Sequence, residues 1–318
     1  MAEFDVKVRA RRDEAVGICS FELEPLGTER LPPFSAGAHI DVRIPSGHVR
    51  QYSLCGHPGD PTHWRIGVLR EPTSRGGSAG MHDDVQVGSV LRVSAPKNLF
   101  GLSDAPHSVL VAGGIGVTPI LAMAQQLHED GRDFSLHYCA RSPERMAFRQ
   151  EIVAGALGQR TQLYFSDDKS TPRFDAEAVL RTSPEGSHLY VCGPGGFMDY
   201  VLASARAAGW SESALHREHF AGVVIDATGD QPFAMRLARS GHSLTVPANV
   251  TALRVLLDND IDVSYSCEAG VCGTCLTVVL EGQPDHRDGY LSDAERSAND
   301  CFTPCCSRSK TPELVLDL

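Results

Sequence analysis

Cys267-Glu268-Ala269-Gly270-Val271-Cys272-Gly273-Thr274-Cys275 spaces three cysteines as C-x4-C-x2-C, and Cys301, Cys305 and Cys306 follow downstream. Three thiolates within one short loop plus a single remote partner is the spacing of a plant-type [2Fe–2S] centre. Zinc, the main competitor for four cysteines, is usually held by two short paired knuckles, which this run does not supply. Gly270 and Gly273 stand where such a loop must bend sharply and let backbone N–H groups approach sulfur. The alternative is a set of incidental buried thiols. Spacing alone leaves Cys301, Cys305 and Cys306 all open as the fourth ligand.

Upstream of this loop, Phe233 to Val246 reads as a hairpin turning at Ser240-Gly241, and Thr251 to Asp258 as a short helix. A Gly, Asp and Thr-rich connector, roughly residues 222–232, separates this part from what precedes it. Before the connector, Ser108-Val109-Leu110-Val111-Ala112 is a continuous apolar run, as a buried parallel strand requires. It ends in Gly113-Gly114-Ile115-Gly116 and opens onto a helix expected over about Pro119 to His128, with Thr118 as its cap. Strands near Phe134 to Cys139, Thr161 to Phe165 and His188 to Cys192 alternate with helical segments. Those are placed near Met146 to Leu157, Asp175 to Leu180 and Phe197 to Ala208, a doubly wound α/β pattern.

Up to about Ser103, short alternating runs are punctuated by Gly and Pro, and no amphipathic helix is expected. Strands near Phe4 to Ala10, Gly17 to Leu23, His39 to Ile44, Trp64 to Arg70 and Ser89 to Ala95 predict an antiparallel β-barrel. Three domains follow: 1–103, 104–225 and 226–318. The 318 residues, 42% hydrophobic and 22% charged, describe a soluble globular chain. No run approaches the ~18 apolar residues of a membrane span. Met1 to Glu14 does not resemble a secretory signal, so the expected location is cytoplasmic with reduced cysteines. A net charge of −11 argues against nucleic acid as a partner. His82, His107 and His242 lack partners at metal-ligand spacing, and neither a Ser-His-Asp triad nor a Rieske His pair is present.

Three motifs stand in order: Arg50-Gln51-Tyr52-Ser53, the glycine run at Gly113, Gly114 and Gly116, and the cysteine loop. In this order they resemble the phthalate dioxygenase reductase family, which includes vanillate O-demethylase reductases, over essentially the whole chain. The resemblance implies a ferredoxin-reductase-like flavin barrel, a nicotinamide-binding α/β domain and a C-terminal β-grasp [2Fe–2S] ferredoxin domain. It implies FMN, NADH and the cluster as cofactors. It also implies an oxidoreductase that passes electrons from NADH by way of flavin and cluster to a separate Rieske-type oxygenase acting on an aromatic acid. A cytochrome P450 acceptor is the runner-up, and a non-enzymatic electron carrier or redox sensor the alternative from another class.

Residue by residue, Arg50 suits a flavin phosphate because its planar cation meets two oxygens at once. Tyr52, two positions on, shares its face of the strand and can lie against a flavin ring. By resemblance, Ser53 reaches the flavin atom where hydride arrives, and Arg75-Gly76-Gly77-Ser78 forms a second phosphate turn. Gly113, Gly114 and Gly116 resemble the pyrophosphate loop of ferredoxin reductases rather than the G-x-G-x-x-G fingerprint. Cys192 and Gly193 resemble the second nicotinamide element, with Thr118 on the opposite wall and Cys192 as a positioning group. Phe220 is either an aromatic residue presented to the flavin or a plain core residue. Asp167, after a strand, repels a 2′-phosphate and accepts from ribose hydroxyls, which selects NADH over NADPH. Arg141 skirts the adenosine half. Cys305-Cys306-Ser307-Arg308 matches the family's Cys-x-Ser-Arg stretch, which makes the metal ligands Cys267, Cys272, Cys275 and Cys305. Cys301 and Cys306 receive no role.

Overall fold

The computed structural model describes residues 3–27, 30–60, 62–72, 76–168, 170–220, 227–265 and 267–318. The chain forms two compact units, Met1–Phe220 and Ala221–Leu318.

Within the first unit, six strands close an antiparallel barrel in the order Val49–Ser53, Ala38–Arg43, Val90–Ser94, Glu3–Ala15, Ile18–Pro25, Trp64–Leu69. The ring is sealed by one isolated bridge, Leu54 with Ile66. Inward positions Val6, Val8, Phe21, Leu23, Ile40, Val42, Ile66 and Val93 are buried and pack as one core. The first strand runs five residues beyond the expected Ala10, because it pairs along its length with Ile18–Pro25 through two bulges. The barrel also carries a helix, Gly77–Asp84, that the sequence did not predict. It buries Gly77, Gly80, Met81 and His82, which form no apolar stripe for a helical pattern to reveal.

The second sheet of this unit is fully parallel, ordered Thr161–Phe165, Phe134–Ala140, Ser108–Gly113, His188–Cys192, Leu215–Glu218. Its order reverses between Ser108–Gly113 and His188–Cys192, so the crevice for a ligand opens at the carboxyl ends of those two strands. Helix Val117–Glu129 covers one face over Leu110, Leu136 and Tyr190. Helices Ala176–Thr182 and Gly195–Ala207 cover the other over Val109, Val111 and Val191. Helix Val117–Glu129 starts two residues earlier than expected. Thr118 is therefore inside its first turn, donating its hydroxyl to the Ile115 carbonyl at 3.0 Å, and it is not the cap. The barrel is fastened to this layer by Arg65, whose guanidinium grips the Glu151 carboxylate at 2.7 and 2.8 Å and lies over the Phe148 ring.

The second unit is a mixed five-stranded sheet, ordered Ser243–Val246, Phe233–Leu237, Glu313–Leu316, Thr277–Glu281, Cys301–Phe302, with helix Ala252–Asp258 against it. Only the central pair, Phe233–Leu237 with Glu313–Leu316, is parallel, as a β-grasp requires. Thr251 caps the helix by accepting from Arg254 N at 3.2 Å. Among the described residues, no helix is long and apolar enough to cross a membrane.

Candidate functional site

Strand Val49–Ser53 sets Arg50 against the first turn of helix Gly77–Asp84. A Cβ on Gly77 would stand 2.7 Å from Arg50 Nε, and one on Gly76 2.6 Å from His48 Nε2. Gly76 adopts φ +100, which L side chains rarely do. The two glycines thus let a guanidinium, an imidazole and a helix start share one concavity, a setting for a phosphate. Ser78 Oγ accepts from Glu71 N at 3.0 Å, and its own proton is not used in that bond. Arg75 lies outside the described residues. Nothing in the sequence pointed to His48, which reaches Gly76 only through the fold.

Tyr52 Oη is buried and has no hydrogen-bond partner, and burial pushes its pKa above the usual phenol range. A buried orphan phenol beside a phosphate cradle fits a ligand that completes it. Ser53 is buried and donates to Glu218 Oε2 at 3.1 Å, which joins the barrel to the last strand of the parallel sheet. Although Glu218 as a residue is partly exposed, burial of its carboxyl pushes the pKa up to about 8, with the Ser53 hydrogen bond opposing. This acid stands 165 positions from Ser53, and no local pattern links the two. Cys192 is fully buried; burial first, and then the Glu218 charge, raise its thiol well above the usual value. A thiol held protonated is a shape and a weak donor, not a nucleophile.

At the switch point the backbones of two loops touch. A Cβ on Gly116 would fall 2.2 Å from the Cys192 carbonyl oxygen, and one on Gly193 3.0 Å from Gly113 Cα. One on Gly113 would fall 2.9 Å from the Phe197 ring, whereas Gly114, at φ +57, faces open space. These approaches leave amide groups and the start of helix Val117–Glu129 bare at the crevice, as a pyrophosphate needs. Thr118 is buried against the barrel, where a Cβ on Gly67 would lie 2.7 Å from its methyl group. Phe220 is 42% exposed, so it is not a plain core residue. Arg141 and Asp167, both exposed, run side by side past the strand ends, with Asp167 N donating to the Arg141 carbonyl at 3.0 Å.

In the second unit the cysteine loop wraps tightly: Glu268, Gly270 and Gly273 all have positive φ, at 50, 73 and 66. A Cβ on Gly270 would meet Cys306 Sγ at 2.6 Å, and one on Gly273 the Tyr290 ring at 2.3 Å. Backbone N–H groups of Ala269 and Thr274 donate to the sulfurs of Cys267 and Cys272, each at 3.4 Å. Cys267 is hydrogen-bonded to Cys272, and Cys305 to both Cys275 and Cys306. The hydrogen bond from Cys267 leads in lowering Cys272 to about 5. Among the described residues, no three metal-ligating side chains converge on one point. With Cys267 and Cys272 together at one place and Cys275 and Cys305 at another, the thiols fit a two-iron core with two thiolates per iron better than a single zinc that needs all four at one centre. Cys306 is buried beneath the loop, 3.2 Å from Thr303 Oγ1, and Cys301 lies part-exposed on the edge strand.

Residues 235–310 match the family model described as 2Fe-2S iron-sulfur cluster binding domain. Residues 97–215 match that described as dimethylamine monooxygenase subunit DmmA-like, N-terminal domain. Vanillate O-demethylase oxidoreductase of Pseudomonas putida is 51% identical over 316 residues, 99% of each chain. The solved phthalate dioxygenase reductase, a modular structure for electron transfer from pyridine nucleotides to [2Fe–2S], is 39% identical. It aligns with a TM-score of 0.78 over 100% of this chain and 98% of its own. An intact type IV self-sufficient cytochrome P450 monooxygenase aligns with a TM-score of 0.86 at 37% identity, over 99% of this chain but only 41% of that one.

Proposed function

The chain belongs to the family of phthalate dioxygenase and vanillate O-demethylase reductases, and on that premise we propose that it is the NADH-dependent reductase of a two-component aromatic oxygenase or O-demethylase system. The observation that carries this reading is the Ser53–Glu218 hydrogen bond, which brings the flavin strand to the nucleotide crevice. When bound, FMN would accept hydride from NADH, and the [2Fe–2S] cluster would pass electrons singly to a separate Rieske-type oxygenase.

The chain's own residues divide the work. Arg50, His48, Gly76, Gly77 and Ser78 hold the flavin phosphate, with Arg75 as a further candidate, and Tyr52 lies at the ring. Ser53 presents a hydroxyl where hydride arrives, and Glu218, protonated below about pH 8, can keep a proton on that hydrogen bond. Cys192 and Thr118 are walls that orient nicotinamide, and Phe220 is the aromatic residue presented to the ring. Gly113, Gly114, Gly116 and Gly193 receive the pyrophosphate, while Arg141 and Asp167 meet the adenosine end. Cys267, Cys272, Cys275 and Cys305 hold the cluster. Domains at 1–103, 104–225 and 226–318 and a cytoplasmic location go with this reading.

Anaerobic NADH added to the purified holoprotein is expected to bleach both flavin and cluster absorbance. Failure to bleach either would favour an electron carrier or sensor instead. A second reading makes a cytochrome P450 the acceptor, since the matching part of the self-sufficient P450 monooxygenase shares this chain's fold. Reconstitution with a purified Rieske oxygenase and with a P450 separates the two. In cofactor choice, Asp167→Arg is expected to raise the NADPH/NADH ratio of kcat/KM by about tenfold, the effect of ~1.4 kcal/mol. An unchanged ratio would remove Asp167 from the specificity argument.

A further inference from the structure

Behind the cysteine loop lies a buried group that the electron path does not use. Strand Pro284–Asp285 pairs with Arg308–Ser309, and the chain leaving it folds against the loop. Gly289 N donates to the Gly270 carbonyl at 2.9 Å, and a Cβ on Gly270 would stand 3.3 Å from Asp288 Cα. Within this segment the His286 side chain is only 7% exposed, and neither Nδ1 nor Nε2 has a hydrogen-bond partner. The Asp288 carboxylate, 3.9 Å from Nδ1, and the Arg296 main chain approach the ring without closing a hydrogen bond.

Asp288 is itself fully enclosed, with 0% of its side chain exposed. It accepts from Leu291 N at 2.7 Å, Tyr290 N at 3.1 Å and Ser307 Oγ at 3.4 Å. Ser307 lies two residues beyond Cys305, so this carboxylate and the fourth thiolate share one short stretch of chain. The charges facing the imidazole are Asp288 on its own segment, Arg296 on helix Asp293–Ala298, and Lys310 beyond strand Arg308–Ser309. The other nearby charges are engaged elsewhere. Arg287 is paired with Asp285 and Asp230, and Glu295 closes a capping box on Ser292. Burial lowers the imidazole's pKa, with Asp288 opposing.

We propose that His286 takes up a proton when the cluster is reduced. One electron enters the cluster from the flavin, one proton from solvent adds to the His286 ring, and Asp288 stabilises the imidazolium. Oxidation by the acceptor releases both. An added negative charge in the loop that this segment packs against favours the imidazolium by Coulomb attraction. A buried imidazole with no competing hydrogen bond and a carboxylate beside it is built to respond to that charge. The inference rests on the proposed assignment of a [2Fe–2S] cluster to Cys267, Cys272, Cys275 and Cys305.

The test is a reductive titration of the holoprotein, followed by the EPR signal of the reduced cluster, across about pH 5 to 8. The midpoint potential is expected to fall with rising pH, with a slope that stays below the one-proton limit of tenfold in the reduction equilibrium per unit, 59 mV for one electron. The slope should flatten at the alkaline end, where His286 is neutral in both states. His286→Gln should abolish it, and Asp288→Asn should move the falling segment to lower pH. A pH-independent potential in the wild type, or a slope retained in His286→Gln, would overturn the proposal. Should His286→Gln fail to assemble a cluster, the wild-type slope and its displacement in Asp288→Asn decide the matter. A wild type with no cluster signal would instead sink the cluster assignment and the proposed function with it.

Discussion

Cys305→Ser is expected to yield protein that keeps its flavin but loses the cluster's visible absorbance, whereas Cys306→Ser keeps both. The two thiols are adjacent in sequence, both buried and hydrogen-bonded to each other, but their other partners differ. Cys305 is hydrogen-bonded to Cys275 of the cysteine loop, and a serine hydroxyl there supplies a poor ligand for iron. Cys306 sits under Gly270 with its sulfur 3.2 Å from Thr303 Oγ1, a contact that a serine hydroxyl keeps. Iron and acid-labile sulfide per chain, read beside the spectrum, check the pair of variants. The reverse outcome, cluster lost in Cys306→Ser and kept in Cys305→Ser, would overturn the ligand assignment.

Gly116→Ala is expected to cost roughly 3 kcal/mol of stability in the first unit, since a methyl group there would overlap main chain. The obstacle is the Cys192 carbonyl oxygen at 2.2 Å, with Gly193 N at 2.7 Å, and neither can swing aside as a side-chain tip would. For a unit of this size that corresponds to a fall of about 10 °C in Tm. Opening the two loops also moves the crevice amides, so KM for NADH should rise with the loss of stability. Gly114→Ala is the control, because its Cβ meets nothing within 4 Å and only its positive φ resists. Since Gly116 has an ordinary φ of -60, a Tm loss there no larger than that of Gly114→Ala would show that the two loops yield to the methyl group.

The three motifs, the barrel and the doubly wound sheet were legible because each rests on short-range spacing. Helix Gly77–Asp84 was not, because four buried residues without an apolar stripe leave no periodic trace. Thr118 was misplaced as a cap because the 3-10 turn Gly114–Gly116 starts the helix early and makes Gly116 the residue before it. Glu218 and His48 escaped for another reason. Each acquires its meaning from a partner brought near by tertiary packing, Ser53 in one case and Gly76 in the other. The fourth ligand was less legible: spacing left three cysteines open, kinship favoured Cys305, and in the fold Cys305 touches both Cys275 and Cys306.

The barrel's closure has a consequence for how the protein breathes. Strand Val49–Ser53 is held to Ala38–Arg43 by five residue pairs, but beyond Ser53 the ring is sealed by the single Leu54–Ile66 bridge. The seam therefore runs beside the strand that carries Arg50, Tyr52 and Ser53, so local opening should start there and amides near it should exchange ahead of the central strands. If the flavin sits on those side chains as proposed, it would bind only the closed form and staple the seam by mass action. The strand proposed to carry the cofactor is thus the part of the barrel expected to open first and the part that ligand would hold shut.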